Sequence, residues 1–427
     1  MRPLMRLPAI ALALLLASLL ASCGGGEDRS KAQLRLVNAS GGYAALDLYV
    51  DEKRLQSAVA YGATDRYVEV DPDQTFTEVT RAGTTTPLVT TTPALAEGDR
   101  YTLVAYGAEG ALKAALLDDN ASEPDSGKVR LRVLNAASEA GNLDVFLTAE
   151  DAQLADAEAL HPGAVAGTVS GFAEVNAATW RLRVTAAGDR DDLRLDISGI
   201  VLASRQIVTV VVTPGSGGVL VNALVVTQRG AISALAGAQA RVRAVAAVTD
   251  SGAVAATVGG VSLMNGTGAP AAGSYRLVPS GATAATVTVN GVAVSVPAAT
   301  LSAGTDHTLM VWGQAAAPAA AWIADDNRPP TVTGRAKLRL VHGVASLDAA
   351  IALTLDFSPV ADGVLGGTAS TPMQADANAA ATLTVTAVGR GSPLWSAVDQ
   401  SLAAGSVYTL FVVGGVNAPT GILRKDR

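Results

Sequence analysis

The chain has 427 residues, with 31 Lys and Arg against 38 Asp and Glu and a formal net charge of −7 at pH 7. Charged residues make up 16% and apolar residues 49%, a balance that supports a folded chain and excludes a disordered stalk. The acidic sum, with no concentrated Lys/Arg patch, excludes a nucleic-acid partner, because phosphate recognition needs clustered cations.

At the N-terminus Arg2 and Arg6 frame the start of an apolar run from Leu7 to Leu20, followed by Leu20-Ala21-Ser22-Cys23. The pattern predicts an export signal ending in a lipoprotein cleavage box. Cations hold the first part on the cytoplasmic side, the apolar run enters the translocon, and small residues let a peptidase reach the bond before the cysteine. The run is shorter than the roughly 20 residues of a membrane span. Residues 1–22 are therefore read as signal peptide and 23–31 as a lipidated flexible linker. Cys23 is the only cysteine, so no disulfide forms within the chain. A lone cysteine is often a small buried hydrophobe, but this one stands at the end of an export signal and before Gly24-Gly25-Gly26. Lipidation supplies acyl chains in which each buried methylene contributes about 0.8 kcal/mol. Gly24 in place of Asp after the cysteine points to the outer membrane, on a face the residues do not specify. No later segment reaches 18 uncharged apolar residues, and the rest is expected to be soluble.

An opening signature then recurs four times: Leu34-Arg35-Leu36-Val37-Asn38, Leu131-Arg132-Val133-Leu134-Asn135, Val242-Arg243-Ala244-Val245 and Leu338-Arg339-Leu340-Val341-His342. A closing signature recurs in Leu95-Ala96-Glu97-Gly98, Leu301-Ser302-Ala303-Gly304 and Leu402-Ala403-Ala404-Gly405, each leading at one offset to Tyr101, His307 or Tyr408 and an apolar run. The second copy is degenerate here, with Leu202-Ala203-Ser204-Arg205 before Ile207 to Val212. Between the signatures, Leu46 to Asp51, Leu143 to Leu147 and Ile351 to Phe357 show the period of two of half-buried strands, and Gly, Pro, Asn and Asp clusters follow about every ten residues. The predicted fold is all-β, four tandem Ig-like β-sandwich repeats covering 32–120, 128–234, 239–327 (degenerate) and 335–427. Helix formers from Asp151 to Leu160 predict a short helix inserted in the second copy. The joints 120–127, 234–238 and 327–334 suggest four beads on short, stiff linkers.

The signatures resemble those of the bacterial domain of unknown function 4397, a β-sandwich family of exported proteins often found in tandem. The resemblance is carried by Leu34 to Ser40, Leu46 to Asp51, Gly83-Thr84 with Thr86-Pro87-Leu88, and the strand from Gly98 to Gly107. It spans nearly the whole mature chain and is weakest in the third copy. Where the family has a histidine after the first strand, this chain has Asn38 and Asn135, and the histidine stays only as His342; the Pro-rich loop that follows is shortened. The resemblance implies the fold and export, and no activity.

The three histidines, His161, His307 and His342, lie in different copies. His307 takes the slot of Tyr101 and Tyr408, and His342 an Asn slot suited to anchoring a loop. With no second histidine in a copy and no free cysteine, a His/Cys metal site and a Cys nucleophile are out of reach; a Ser-His-Asp triad would have to recruit one of these scattered histidines, and no nucleophile elbow, P-loop or dinucleotide fingerprint is present. Asp118-Asp119-Asn120 and Asp325-Asp326-Asn327 close copies one and three, and Asp118, Asp119, Asp325 and Asp326 are the candidate Ca²⁺ ligands. Calcium sites space their ligands at alternate positions and copies two and four lack the motif, so a polar turn stopping the strand is the favoured reading. Asp189-Arg190-Asp191-Asp192 reads as a solvated turn. Of the four indoles, Trp312 lies in an apolar strand, Trp180 and Trp395 are expected half exposed, and no planar sugar-binding row is evident.

These readings predict no enzyme and no cofactor. They favour a lipid-anchored cell-envelope protein, held to the membrane by Cys23, whose sandwiches serve as spacer and interaction surface toward a protein or glycan partner. The alternative is an extracellular glycan- or small-ligand-binding lipoprotein, whose concave site no sequence pattern locates.

Overall fold

The computed structural model describes residues 29–217 and 219–427; the expected signal peptide and Cys23 lie outside the described residues. Apart from two three-residue 3-10 turns, the regular elements are strands, and no described helix is long and apolar enough to cross a membrane.

Four sandwiches follow one another, with separate cores drawn from residues 32–116, 129–235, 240–322 and 336–423. In the first, the front sheet runs Val68–Val70, Ala32–Asn38, Arg100–Tyr106, Lys113–Asp118, and the back sheet runs Lys53–Ala60, Ala45–Val50, Thr77–Arg81, Pro87–Thr91. The opening strand (Ala32–Asn38) and the closing strand (Arg100–Tyr106) are parallel neighbours, Gln33 opposite Arg100 and Asn38 opposite Ala105. Parallel neighbours need a long crossover, and the back sheet is that crossover. The other copies repeat the pairing: Lys128–Asn135 with Ile207–Pro214, Gln239–Val248 with Asp306–Gln314, and Arg335–Ala345 with Val407–Gly415.

The alternation within these strands explains both of their neighbours. Leu34 and Leu36 point into the first core, while Val37 and Ala39 point away from it and are equally buried. A strand covered on both faces reads as a near-continuous apolar run, which accounts for Ile207 to Val212 and Val407 to Val413.

What covers the outer face is the next sandwich. Val37, Val104, Tyr106 and Leu117 interdigitate with Leu134, Val211, Leu224 and Val226. Val245, Ala247, Met310 and Ile323 do the same with Val341, Phe411 and Val413. Copies one and two thus form one pair and copies three and four another, each joined front sheet to front sheet. The picture of beads held only by linkers gives way to two fused pairs, because the opening and closing strands have two apolar faces and must bury both. The pairs touch through Gly217 and Gly304, an amide to carbonyl bond of 2.9 Å, and through Arg241 and Asp192 at 2.8 Å.

The helix expected over 151–160 is replaced by a loop holding one 3-10 turn, Leu154–Asp156. None of its residues is buried, so there is no apolar stripe to stabilise so short a helix. The second copy owes its greater length also to the 14-residue strand Asp189–Leu202 and to a fifth front strand, Ile232–Leu235.

Candidate functional site

At each sheet-on-sheet junction the second residue of the opening signature is a buried arginine. Arg35, Arg132, Arg243 and Arg339 are 2–8% exposed. Each donates Nε to a threonine of its own closing strand: Thr102 at 2.8 Å, Thr209 at 3.0 Å, Thr308 at 2.9 Å and Thr409 at 2.9 Å. The rest of each guanidinium crosses to the partner sandwich, and the crossings are reciprocal. In the second pair Arg243 bonds Asp426, with one contact at 3.1 Å, and Arg339 bonds Asp325 and, at 3.1 Å, the Ala324 carbonyl. In the first pair Arg132 donates to the Asp118 carbonyl at 2.9 Å and stands 4.0 Å from Asp119, while Arg35 donates to the carbonyls of Gly230 at 2.8 Å and Thr227 at 3.0 Å.

Threonine and carboxylate close each clasp. Thr308 donates to Asp325 at 2.7 Å, Thr409 to Asp426 at 2.5 Å, and Thr102 to Asp119. An aromatic ring lids three of the four guanidiniums at 4.6 Å: Tyr67 over Arg35, Phe172 over Arg132 and Tyr275 over Arg243, an arrangement that favours a desolvated cation. Each ring residue precedes the strand that pairs with the opening strand, and Pro372 holds that place in copy four. The two tyrosine hydroxyls reach Asp119 and Asp325 at 2.7 Å.

The electrostatics follow from burial and partners. Burial alone would raise the Asp325 carboxyl, but Arg339 and Arg243 hold it below the usual carboxylate range. Burial and the Asp119 charge push the Tyr67 hydroxyl up to about 12, and burial with Asp325 pushes Tyr275 well above its ordinary value. These groups keep one protonation state near neutral pH, and their chemistry is recognition of one sandwich by another.

The candidate calcium ligands are part of this device. Asp119 and Asp325 are clasp carboxylates. Asp118 receives the amide and side chain of Asn120, and Asp326 pairs with Arg328 at 2.8 Å and Lys337 at 2.9 Å. Among the described residues no three His, Cys, Asp or Glu side chains gather as a metal would need. A signal for the clasp does exist in the sequence: the arginine at the second place of each opening, the threonine after the aromatic slot, and an acid at the end of the last strand. Reading only Asp-Asp-Asn hides it, because copy four supplies the acid as Asp426 alone. Asp192, in the stretch expected to be a solvated turn, is instead held low by Arg194 and Arg241 against the upward effect of burial.

The Asn slot is a loop clamp. Asn38 accepts the Ser40 amide and donates to the Tyr43 and Val59 carbonyls; Asn135 accepts the Ala137 amide and donates to Gly141 and Ala164. His342 imitates both with Nδ1 accepting the Val344 amide at 3.2 Å and Nε2 facing the Ala349 carbonyl at 3.4 Å. His307 pairs with Val242 in the register by which Tyr101 pairs with Leu34 and Tyr408 with Leu338. His161 lies 3.2 Å from Ser170. The three histidines are not brought together.

The indoles are spread as well. Trp180 and Trp395 are half-buried against the second and fourth cores, Trp322 donates to the Pro297 carbonyl at 3.0 Å, and Trp312 lies across Gly366 and Gly367 at the second pair's junction. A cleft of about 710 Å³ opens between copies three and four, lined by Thr249, Asp250, Ser251, Gln314, Ser346 and Asn417 among others. A second, of about 250 Å³, lies where copies two, three and four meet beside Asp189, Asp191 and Lys425.

With this geometry in place, comparison with known proteins finds a match to the domain of unknown function DUF4397 over residues 32–146 and 240–350. Each match covers one sandwich and runs through the opening strand of its partner, and the second falls on copy three, where the resemblance is expected to be weakest. No curated protein matches the sequence. Among solved structures, a product complex of a multi-modular glycogen-degrading pneumococcal virulence factor aligns at 8% identity and TM-score 0.16, over 86% of this chain and 37% of that one. The Bacillus anthracis TIE protein aligns at 8% identity and TM-score 0.13, over 86% of this chain and 65% of that one. The chain thus spans little more than a third of the first protein and just under two thirds of the second.

Proposed function

We propose that this chain, which belongs to the DUF4397 family, is a non-enzymatic cell-envelope lipoprotein whose paired sandwiches form a stiff spacer and interaction surface. The observation that supports the reading is the reciprocal burial of front sheets in both pairs. A joint made of interdigitated apolar side chains and buried clasps resists bending far more than a linker does, and stiffness is what lets an anchored protein hold its far end at a set distance. Cys23 is the proposed anchor and the outer membrane the proposed location.

Two measurements test this. The mass of the native N-terminal peptide, with partition between detergent and water, is expected to show an acylated Cys23; an unmodified or uncleaved N-terminus rejects the anchor. Small-angle scattering of the mature chain is expected to give one compact maximum dimension unchanged by salt, and a broad distribution of lengths rejects the spacer. A second reading, binding of a glycan or small polar ligand, draws on the cleft between copies three and four, where hydroxyl and amide side chains stand among apolar ones. Calorimetric titration with a panel of oligosaccharides tests it, and no heat at any concentration counts against it.

A further inference from the structure

We infer that the Arg–Thr–Asp set is a pairing code by which one sandwich recognises the front sheet of another, and that Gln228 is the one position where this chain leaves the code incomplete. The partner the surface fits is a second sandwich of the same kind, with a guanidinium at the second place of its opening signature and an acid at the end of its last strand.

Register identifies the position. Thr102 stands opposite Leu117, Thr308 opposite Ile323 and Thr409 opposite Arg424, and two residues further along lie Asp119, Asp325 and Asp426. Thr209 stands opposite Val226, and two residues further lies Gln228. Three observations mark that place as made for an acid. Gln228 donates Nε2 to the Ala121 carbonyl at 2.8 Å, but its Oε1 is one of two buried side-chain polar atoms without a hydrogen-bond partner among the described residues. Thr209, whose counterparts donate to the acid, accepts from Arg132 and has no acceptor for its own proton among the described residues. Arg35, whose counterparts in the second pair meet carboxylates, makes do with the carbonyls of Thr227 and Gly230 on either side of Gln228. By register, an acceptor without a donor, a hydroxyl without an acceptor and a guanidinium held across the junction by carbonyls alone thus surround the one place where the other copies carry an acid, and hydrogen bonds to ionised groups are the stronger kind.

The test is Gln228→Asp in the full chain, read by thermal unfolding together with amide-exchange protection of 32–38 and 221–227. The substitution is expected to raise the midpoint at which those strands lose protection by about 2–6 °C. In an Arg35→Met background the same change is expected to give no rise, so that the double-mutant cycle isolates the coupling. An unchanged or lowered midpoint in the parent, or an equal rise in both backgrounds, overturns the inference. Should Gln228→Asp fail to fold, Asp426→Gln carries the incomplete code into the second pair. Loss of protection in 239–248 and 407–415, with little further loss on adding Arg243→Met, then supports the inference, and unchanged protection overturns it.

Discussion

In the first pair Arg35 and Arg132 cross the junction mainly to backbone carbonyls, whereas in the second Arg243 and Arg339 cross to carboxylates that are fully buried. The apolar filling differs too: Tyr106 with valines, leucines and alanines in the first, Met310, Phe411 and Trp312 in the second. The same sheet face can therefore be held whether its buried guanidiniums meet carboxylates or backbone carbonyls across the junction. Buried ion pairs pay heavily in desolvation, so measured against an apolar filling of the same shape the second pair's Arg–Asp sets add little net stability; an acid placed beside a guanidinium that is already buried, as at position 228, is the favourable half of that comparison. What they add is selectivity, because any other arrangement of the two sheets strands a charge.

The asymmetry predicts how each pair breaks. Asp325→Ala takes from Arg339 the carboxylate it bonds directly, leaving the Ala324 carbonyl at 3.1 Å as its partner across the junction, and removes the acceptor of Thr308 and Tyr275, whereas Arg132 stands 4.0 Å from Asp119. A loss of about 3–5 kcal/mol is expected for an orphaned buried charge, measured by urea unfolding of the full chain. Asp119→Ala, at the matching place in the first pair, deprives Thr102 and Tyr67 but leaves Arg132 its carbonyl partner at 2.9 Å. Its cost is expected at about 1–3 kcal/mol, the range for unsatisfied neutral groups. Equal losses would mean that the two pairs are held alike.

A smaller effect separates the pairs at a glycine. Gly367 (φ +79°) and Gly167 (φ +82°) both occupy the left-handed region, and both face an aromatic residue of the partner sandwich. A Cβ on Gly367 would sit 2.8 Å from the Trp312 ring, whereas on Gly167 it would meet only the Tyr106 hydroxyl at 3.0 Å. Left-handed strain is common to both and costs about 1 kcal/mol. Gly367→Ala is expected to add about 1–2 kcal/mol of overpacking and to shift Trp312 emission to the red as the ring is displaced. If Gly167→Ala proves as costly as Gly367→Ala, the ring contact is not what tells them apart.

The repeats, the sandwich class and the strand character of the signatures were legible because period-two alternation and recurring turns are local signals. The pairing was not. An arginine between two leucines, as in Leu34-Arg35-Leu36, reads as the solvent side of a half-buried strand, and only the fold shows that side covered. Arg35 meets Thr227 and Gly230, and Arg243 meets Asp426, across nearly two hundred residues. No periodicity spans that distance. Asp118-Asp119 and Asp325-Asp326 stood out for the right reason, carboxylates at a junction, but which charge faces them is decided by the neighbouring sheet. The insert at 151–160 went the other way: its composition favours a helix, and the absence of a buried face leaves it as loop.

Acidity should separate the pairs last and least. Burial lowers the pKa of all three histidines below the ordinary value, and the second pair holds His307 and His342 against His161 alone in the first. A base whose folded pKa is depressed binds protons more readily when unfolded. Its contribution is therefore complete above the unfolded value of about 6.5 and is lost as pH falls below it toward the folded value. His342 is fully buried, and can cost up to about 1.4 kcal/mol per pH unit across that window. Between pH 7 and 5 the strands 335–345 and 407–415 are expected to lose amide-exchange protection before 32–38 and 100–106 do. His342→Asn restores the clamp used by Asn38 and Asn135 without a titrating group, so it should flatten that pH dependence while keeping neutral-pH stability within about 1 kcal/mol. A slope that survives the substitution would move the origin of acid sensitivity from the loop clamp to His307 or the carboxylates of the clasps.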